Sequence, residues 1–240
     1  MKIGVDRNNV APGITLSIVV PAYNESENLA DAIGFIASGL PDSLLLHEII
    51  IVDDGSKDDT AAVLNKVSAE YPNIHSIIHP ANRGKGAALQ SAIRIARMEW
   101  VLFMDADLQI SIDELPVFLE QVAEYEIIIG TRKGRKDPFI RRILSSVFAG
   151  IIRFFIKLDV NDLNCPFKLI KKSFLDSCTL QSQGFLIDTE ILYKASRMNL
   201  PIKEIAVSCQ TRQKGISTVR FTHAIETLAE LMRLLARKNQ

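Results

Sequence analysis

Short apolar runs alternate with longer amphipathic segments through the first half of the chain. Strands are predicted over Ile14–Val20, Glu48–Val52, Ile74–Ile78, Trp100–Met104 and Ile127–Gly130. Helices are predicted between them over Asn28–Ala37, Thr60–Glu70, Gly86–Met98 and Ile112–Tyr125. Uninterrupted Val and Ile runs are typical of strands that are buried on both faces. The alternation therefore predicts an α/β fold with a mostly parallel central sheet flanked by helices.

Polar clusters follow three of these strands, at the point where each strand ends. Their sequences are PAYNE after the first strand, DDGS after the second and DADLQ after the fourth. In open parallel sheets, ligands bind beyond the carboxyl ends of the strands. The pattern thus predicts that one crevice collects all three clusters.

The cluster DADLQ predicts a site for a divalent metal. Asp105 and Asp107 are two positions apart, so in an extended segment their side chains point the same way. Gln109 offers a further oxygen, and an all-oxygen set suits Mg²⁺ or Mn²⁺ rather than zinc. The alternative is a simple turn at the strand end, with Asp113 capping the next helix.

The first two clusters carry groups that suit a nucleoside. Asp53 ends an apolar run, where its carboxylate can accept hydrogen bonds from a base or a ribose, whereas helix capping accounts for the later acids of DDGSKDD. Tyr23 offers a face for stacking a base, and Glu25 is a candidate for binding ribose. Pro21 is expected to stop the first strand. The alternative for this segment is a polar loop that starts a helix.

A Gly-Lys loop, NRGKGAAL at residues 82–89, opens the third predicted helix. It lacks the full spacing of a P-loop. Arg83 or Lys85 is nevertheless placed to approach a phosphate. The alternative is an ordinary helix start.

Bulk composition narrows the class of protein. The chain has 240 residues, of which 48% are hydrophobic, and it is predicted to form one domain over residues 1–240. The 28 basic and 28 acidic residues balance, which gives no case for nucleic acid. The N-terminus carries no signal-peptide stretch, and no window offers the roughly 18 apolar residues of a membrane span. The three cysteines are expected to be reduced, in the cytoplasm.

Two amphipathic stretches lie in the second half of the chain. Residues 138–158 place apolar side chains at three- and four-residue steps and include four basic residues and no acid. A basic amphipathic helix predicts contact with a membrane surface, whereas the alternative is a core helix with solvated arginines. Residues 221–240 form a second amphipathic stretch, expected to pack on the domain or on a second copy of the chain.

The four motif segments together resemble glycosyltransferase family 2, the inverting nucleotide-sugar transferases with the GT-A fold. The resembling stretches are LSIVVPAYNESENL, EIIIVDDGSKDDT, NRGKGAAL and VLFMDADLQ. The resemblance implies a Rossmann-like three-layer fold, with a nucleotide-sugar-binding half at about residues 14–135 and an acceptor half at about 136–220. Residues 127–220, with IIIGTRKGRKD and GFLIDTEILYKA, resemble the polyprenyl-phosphate sugar transferases, which include the dolichyl-phosphate mannosyl- and glucosyltransferases.

The resemblance also implies roles for individual residues. The nucleoside would be held by Pro21, Tyr23, Glu25 and Asp53, and the donor phosphates by Lys85 and Arg212. The metal on the donor diphosphate would be held by Asp105, Asp107 and Gln109. The acceptor phosphate would face Arg132 and one of Arg141 or Arg142, together with Ser145. Where the family often has Ser-Lys near Arg212, this chain has Ser217-Thr218, and Lys214 is the candidate to compensate.

Four further positions carry interpretations of their own. Asp188 and Glu190 are candidate bases or acceptor-orienting groups, and the alternative is that both lie in the first turn of a helix, where its dipole favours acids. Asp162 is a candidate to organise the acceptor side. Lys168 is interpreted as no more than a surface lysine.

The leading functional hypothesis is transfer of mannose or glucose from a UDP- or GDP-sugar to polyprenyl phosphate at the cytoplasmic face of a membrane. A phosphate acceptor is largely ionised at pH 7 and needs positioning cations rather than a general base, and the arginines after Gly130 favour it. The alternatives are a soluble or cell-wall saccharide acceptor and a non-catalytic sugar-nucleotide-binding subunit. The chain is expected either to act as a peripheral enzyme or to depend on a separate membrane subunit.

Overall fold

The computed structural model describes residues 13–133, 150, 160–210, 227, 230 and 231. Seven strands in this part of the chain form one sheet, in the order β3-β2-β1-β4-β6-β5-β7. The strands are β1 Thr15–Ala22, β2 Leu46–Asp53, β3 Ile74–Ile78, β4 Trp100–Phe103, β5 Ile127–Lys133, β6 Lys168–Lys171 and β7 Ile202–Ser208.

Helices connect most of these strands. They are α1 Ser26–Gly39, α2 Thr60–Glu70, α3 Lys85–Ile95, a 3₁₀ turn at Ile112–Glu114, α4 Leu115–Leu119, α5 Lys172–Ser177 and α6 Ile187–Arg197. No helix within the described ranges is both long enough and apolar enough to cross a bilayer.

The strand directions confirm a mostly parallel sheet. β1 is parallel to β2 and β4, β3 is parallel to β2, and β7 is parallel to β5. Among the described strands, β6 alone runs the opposite way, antiparallel to both β4 and β5. Its first residue, Lys168, therefore pairs with Phe103, the last residue of β4, and with Ile129, the third residue of β5. β6 thus starts at the edge of the sheet where β4 finishes.

Alternate strand residues enter two separate hydrophobic layers. On one side Ile18 packs in a layer that includes Leu29 of α1, and on the other side Val19 packs in a layer that includes Leu89 of α3. Both β1 residues are fully buried, as expected for a strand covered on both faces. Each such side chain contributes roughly 1.5–3 kcal/mol through burial. The three-layer arrangement that the sequence predicts is confirmed.

The prediction that Pro21 stops the first strand is wrong. β1 continues through Ala22, with Pro21 paired in register with Val52 of β2. β4 pairs only with residues 16–19 of β1, so Pro21 lies beyond the end of that neighbour. A proline is tolerated there because its missing N–H has no strand to bond.

The predicted helix over Ile112–Tyr125 is too long. The structure has the 3₁₀ turn followed by α4, which ends at Leu119, and then turns. Leu115, Phe118 and Leu119 are fully buried, so this short helix already places its apolar face in the core. The chain must then reverse to enter β5 at Ile127. The other predicted helices and strands match to within a few residues at each end.

The C-terminal stretch is represented by three described residues. Leu231 is fully buried in the layer that contains α3 and α6. Leu231 therefore packs on the domain, whereas packing of the rest of residues 221–240 stays a prediction.

Candidate active site at the carboxyl edge of the sheet

The loops that follow β1 and β2 are joined by hydrogen bonds. The backbone N–H of Asn24 donates to Ser56 Oγ at 2.8 Å, and the N–H of Lys57 donates to Asn24 Oδ1 at 2.8 Å. The N–H of Glu25 donates to Thr60 Oγ1 at 2.9 Å. Asn24 adopts a φ of 54°, a left-handed conformation that asparagine tolerates. These contacts hold the two loops as one rigid rim.

Asp53 lies at the base of this rim. It pairs in register with Ala22, is 1% exposed, and accepts a hydrogen bond from the N–H of Ser56 at 3.0 Å. Asp53 does not cap α2, which begins at Thr60, and its Oδ1 instead closes the turn at residues 53–56. The register brings Asp53 beside the segment that carries Pro21, Tyr23 and Glu25, so the structure gathers all four nucleoside candidates.

Asp54, for which no role is predicted above, holds the Gly-Lys loop. Its carboxylate accepts hydrogen bonds from the N–H groups of Arg83 at 3.0 Å and Gly84 at 2.7 Å. His79 Nδ1 lies 2.7 Å from Asp54 Oδ1, and both side chains are buried. Neighbouring strand residues face opposite ways, so consecutive acids at the end of β2 serve two different loops.

The Gly-Lys loop packs tightly against the segment at residues 181–184. The N–H of Ala87 donates to Gln183 O at 3.1 Å, and Gln90 Nε2 donates to Ser182 O at 2.8 Å. Gly84 has a φ of 95°, and a Cβ added there would lie 2.6 Å from Gln183 O. A Cβ on Gly86 would overlap Ser182 O. Both glycines are therefore required for the close approach of the two segments.

Gly86→Ala is expected to destabilise the protein by about 1–3 kcal/mol and to weaken donor binding, because the new Cβ meets backbone that cannot move aside. Urea unfolding and the donor KM measure the two effects. Gly34→Ala is the matched control: it lies in α1 with open space around its Cβ position. That variant should gain up to about 1 kcal/mol from helix propensity. Equal stability of the Gly86 variant and wild type would contradict the packing argument.

The three candidate metal ligands lie just beyond β4. β4 ends at Phe103 and a turn follows at Ala106-Asp107, so Asp105 and Asp107 do not lie on one continuous strand. Asp107 Oδ1 accepts the N–H of Gln109 at 3.3 Å, and the intervening Leu108 has a φ of 52°. The convergence of these side chains on one metal stays a prediction.

The residues at this turn fit a divalent ion. Asp105 is 38% exposed at its side chain, and the Lys85 ammonium lies 3.2 Å from its Oδ1, so a cation is already favoured against this carboxylate. Two carboxylates and an amide oxygen form a hard oxygen set. No cluster of three His, Cys, Asp or Glu side chains suited to a metal is found in the described ranges. The candidate set has only two carboxylates, with an amide oxygen as its third donor, and such oxygens suit Mg²⁺ or Mn²⁺.

Lys85 contacts a buried carboxylate, Asp188, which is also paired with Lys168. Lys85 Nζ is 3.7 Å from Asp188 Oδ2, and Lys168 Nζ is 2.7 Å from Asp188 Oδ1. Burial raises the pKa of Asp188, but the charges of Lys168 and Lys85 outweigh burial and hold that pKa below its ordinary value. Burial lowers the pKa of Lys85, but Asp105 and Asp188 raise it above the ordinary value. Lys85 and Asp188 are therefore both charged at neutral pH.

The interpretation of Lys168 as a surface lysine is wrong. Its side chain is fully buried, and its ammonium donates to Asp188 and to the carbonyl oxygen of Cys165. The antiparallel direction of β6 places this first strand residue at the carboxyl edge of the sheet. A buried lysine needs such partners because an isolated charge in the core is very costly.

Arg132, near the end of β5, forms a two-pronged ion pair with Asp162. Its Nε donates to Asp162 Oδ2 at 2.7 Å and its Nη2 to Oδ1 at 2.8 Å. The Arg132 side chain is only 10% exposed. Burial raises the pKa of Asp162, but the hydrogen bonds and charge of Arg132 hold it below its ordinary value. Arginine has five N–H donors, so this pair leaves others for a ligand.

The metal, donor and acceptor candidates lie within electrostatic reach of one another. Burial lowers the pKa of Lys85, and the charges of Asp105 and Asp188 raise it. The charge of Arg132 has a smaller effect and lowers the same pKa. Burial raises the pKa of Asp162, and Arg132 lowers it. The charge of Lys168 has a smaller effect and lowers the same pKa. The charge of Lys168, which is paired with Asp188, thus also reaches Asp162. That these candidate residues form one site stays a prediction.

Glu190 and Glu230 hold the segment at residues 181–184. Glu190 accepts N–H groups from Gln181 at 3.0 Å and Ser182 at 2.7 Å. Glu230 Oε1 accepts the N–H groups of Gln183 and Gly184, both at 3.2 Å. Asp188 and Glu190 lie in the first turn of α6, as the helix-start alternative expects. The Glu190 carboxylate holds this loop, and an acceptor-orienting role for either residue stays a prediction.

Glu230→Ala is expected to raise the donor KM about threefold, because two N–H groups of the segment that clamps the Gly-Lys loop lose their acceptor. Glu230→Gln keeps an acceptor oxygen and should stay close to wild type. Steady-state kinetics with varied donor measure the difference. Equal donor KM values for the two variants would show that the contact does not act on the donor side.

A family model for glycosyl transferase family 2 matches residues 17–179, which contain all the site elements from β1 to α5. The chain belongs to glycosyl transferase family 2. The resemblance carried by the polar clusters is therefore confirmed.

Several family 2 relatives are similar over most of the chain. A dolichyl-phosphate beta-glucosyltransferase from Dictyostelium discoideum is 31% identical, covering 96% of this chain and 76% of the relative. Proteins named for the same activity from Trichomonas vaginalis and Drosophila melanogaster are 34% and 32% identical, over 81% and 82% of this chain. This chain spans 65% and 67% of those two proteins. The subgroup that the second half of the sequence resembles is thus represented among its relatives.

Solved structures support the family 2 fold. A glucosyl-3-phosphoglycerate synthase from Mycobacterium tuberculosis, in complex with Mn²⁺, UDP-glucose and phosphoglyceric acid, superposes with a TM-score of 0.71 at 17% identity. The match covers 93% of this chain and 80% of the other. The same enzyme in complex with UDP gives a TM-score of 0.69. The expected GT-A fold is therefore confirmed.

Some of the expected family 2 site residues lie outside the described ranges. They are the acceptor candidates Arg141, Arg142 and Ser145, the donor candidate Arg212 with Lys214 and Ser217-Thr218, and the basic stretch 138–158 apart from Gly150. Their roles stay predictions.

Sequence reasoning missed three residues of this family 2 site. Asp54 shares its signal with Asp53, and the pairing with His79 could have been inferred from the polar ends of β2 and β3. Lys168 offers a weak signal, a lysine between apolar residues in PFKLI. Glu230 offers none, because its partners are backbone groups 46 and 47 residues away.

Proposed function

We propose that this chain transfers glucose from UDP-glucose to a polyprenyl phosphate such as dolichyl phosphate, with inversion at the anomeric carbon. The observation that carries the proposal is the Lys85–Asp105 contact at 3.2 Å, which places a cation and a carboxylate beside the loops after β1 and β2. The names of the relatives favour glucose and dolichyl phosphate, and the Mycobacterium tuberculosis complex favours a UDP donor.

On the donor side, the rim formed by the first two loops receives the nucleoside. Asp53 would accept hydrogen bonds from the base or ribose with the oxygen that does not close the turn. Tyr23, which is half-buried, would stack on the base, and Glu25 would approach the ribose. Lys85 would lie against the diphosphate, where its ammonium stabilises negative charge.

A divalent ion held by Asp105, Asp107 and Gln109 would neutralise the negative charge that the departing diphosphate gains. The Gly-Lys loop beside this metal position is held in a fixed arrangement. Asp54 anchors the Gly-Lys loop through two backbone N–H groups, and the segment at residues 181–184 packs against it. Lys85 therefore needs little reorganisation when the diphosphate charge develops, which is the condition for electrostatic catalysis.

On the acceptor side, Arg132 would bind the phosphate with the N–H groups that Asp162 does not use. Asp162 fixes the guanidinium plane through two hydrogen bonds. A bidentate, pre-oriented guanidinium suits phosphate geometry. Asp188, the candidate base, is buried between two lysines that hold its pKa low, so it is a poor proton acceptor at neutral pH. The weak basicity of Asp188 favours a phosphate acceptor, which needs no base, over a hydroxyl.

The reaction balances without a proton acceptor. An ionised phosphate oxygen of the acceptor attacks the anomeric carbon and forms a new C–O bond. The bond between that carbon and the diphosphate oxygen breaks, and UDP leaves with its electron pair. The product is a sugar phosphodiester of the lipid.

The test is transfer from radiolabelled UDP-glucose, with GDP-mannose in parallel, to dolichyl phosphate in detergent with Mn²⁺ or Mg²⁺. The proposal expects label in the organic phase with UDP-glucose. Dolichol without the phosphate is the matched acceptor control and should stay unlabelled. Label transferred to soluble saccharides but not to lipid would replace the proposal with the saccharide-acceptor alternative. Nucleotide binding without any transfer would favour a non-catalytic subunit.

A lipid acceptor would place the chain at a membrane surface. The basic stretch 138–158 supports this proposal through its charge, since each Lys or Arg near an anionic leaflet contributes about 1 kcal/mol. Location at the cytoplasmic face, and a separate membrane subunit, are parts of the same proposal. The surface contact would be tested by measuring binding to anionic vesicles. Wild type is compared with a variant in which Arg141 and Arg142 are both changed to Glu.

A further inference from the structure

Four charged side chains form a continuous line from the core to the candidate metal turn. Lys168 is 2.7 Å from Asp188, Asp188 is 3.7 Å from Lys85, and Lys85 is 3.2 Å from Asp105. Side-chain exposure rises along the line, from 0% at Lys168 through 3% and 15% to 38% at Asp105. The charges alternate in sign along the whole line.

The middle of this line has one ammonium shared by two carboxylates. Lys85 contacts both Asp105 and Asp188, and the Asp105 contact is shorter by about 0.5 Å. Asp188 is already paired with Lys168 at 2.7 Å, so its remaining attraction for Lys85 is reduced. Removing one partner of a buried pair leaves an uncompensated charge, which strongly attracts any other counter-ion within reach. The position of Lys85 therefore depends on Lys168, which it does not touch.

We propose that Lys168 is a positioning residue that acts through Asp188 to set how Lys85 is shared between Asp188 and Asp105. Lys85 and a divalent ion compete for Asp105, so this sharing sets the strength of the metal site. The inference rests on the metal site of the proposed function and adds a residue that tunes it.

The proposal predicts that removing the charge of Lys168 and removing the charge of Asp188 have opposite effects on metal binding. Without the charge of Lys168, Asp188 needs Lys85 as its counter-ion, and Lys85 moves toward it and releases Asp105. Without the charge of Asp188, Lys85 keeps Asp105 as its remaining carboxylate partner in this line. The first change should strengthen metal binding and the second should weaken it. Loss of structure alone would weaken binding in both variants.

The experiment measures the Kd of Mn²⁺ for the free protein, from the EPR signal of unbound Mn²⁺. Lys168→Met is expected to lower that Kd about fivefold, and Asp188→Asn to raise it about fivefold, at the lower end of the usual coupling between linked sites. Lys171→Met is the matched control. Lys171 lies on the same strand and pairs with Glu126 at 3.5 Å, away from the line, so its Kd should equal that of wild type.

Every outcome of the Mn²⁺ measurement either supports or overturns the inference about Lys168. Shifts of the same sign in both variants, or an unchanged Kd in folded Lys168→Met, would overturn the inference and leave the metal site intact. Absence of Mn²⁺ binding to wild type would overturn the metal site itself and the inference with it. If Lys168→Met does not fold, Lys168→Gln supplies the same test, since it can donate a hydrogen bond to Asp188 but carries no charge. A lowered Kd in that variant supports the proposal and an unchanged or raised one overturns it.

Discussion

Asp107→Ala is expected to lower kcat/KM for sugar transfer by about 10³-fold, because a divalent ion that neutralises the leaving diphosphate loses one of its two carboxylates. The variant also loses the hydrogen bond at 3.3 Å from the N–H of Gln109 to the Asp107 carboxylate, so the fold is measured beside the activity. Transfer of labelled glucose to dolichyl phosphate measures the loss, and thermal unfolding checks the fold.

Asp107→Asn separates the two roles that this side chain can have. The amide oxygen can still accept the N–H of Gln109 and close the turn, but it carries no negative charge. A metal ligand role predicts that this variant is nearly as inactive as Asp107→Ala. Asp113→Asn, an exposed acid of the next turn, should retain full activity. Retained activity in Asp107→Asn would reduce Asp107 to a turn-forming residue and remove the metal role.

Arg132→Ala is expected to raise the KM for dolichyl phosphate about 100-fold and to leave the donor KM within about twofold. Two charge-assisted hydrogen bonds to a phosphate account for a change of this size. Arg132→Lys keeps the charge but loses the planar fork, so it should fall between the alanine variant and wild type. Kinetics with each substrate varied in turn separate the two KM values.

Removal of Arg132 also leaves Asp162 without its partner, and the Asp162 side chain is only 15% exposed. Asp162→Asn serves as the control for this effect, because it keeps an oxygen beside Arg132 and removes the charge. It should raise the acceptor KM by less than Arg132→Ala does. A larger rise in the donor KM than in the acceptor KM for Arg132→Ala would place Arg132 on the donor side.

The parallel half of the fold follows from local patterns. Runs such as EIIIV can bury both faces only inside a sheet covered by helices, and the polar residues after them then meet at one edge. The same reasoning correctly brought Asp53 and Lys85 to that edge. It failed for Pro21, because a proline stops a strand only where a neighbour needs its N–H, and the length of β4 is not visible from β1.

The buried charges could not be inferred in the same way. Whether a lysine such as Lys168 is solvated or buried depends on a partner, and Asp188 is 20 residues away on a helix. The position of Lys168 also depends on the antiparallel direction of β6, whereas the alternation of strands and helices favours parallel pairing. Long-range pairs of charges carry no periodic signal along the chain, so only the packed structure reveals them.

The reversed direction of β6 has a consequence for how this family 2 chain can diversify. Ladder hydrogen bonds to two neighbouring strands fix the height of Lys168, rather than the length of the connection that precedes it. Insertions or deletions between β5 and β6 can therefore accumulate without displacing the charge behind the donor. Acceptor preference is then free to drift among related enzymes while the chemistry of sugar activation is inherited unchanged.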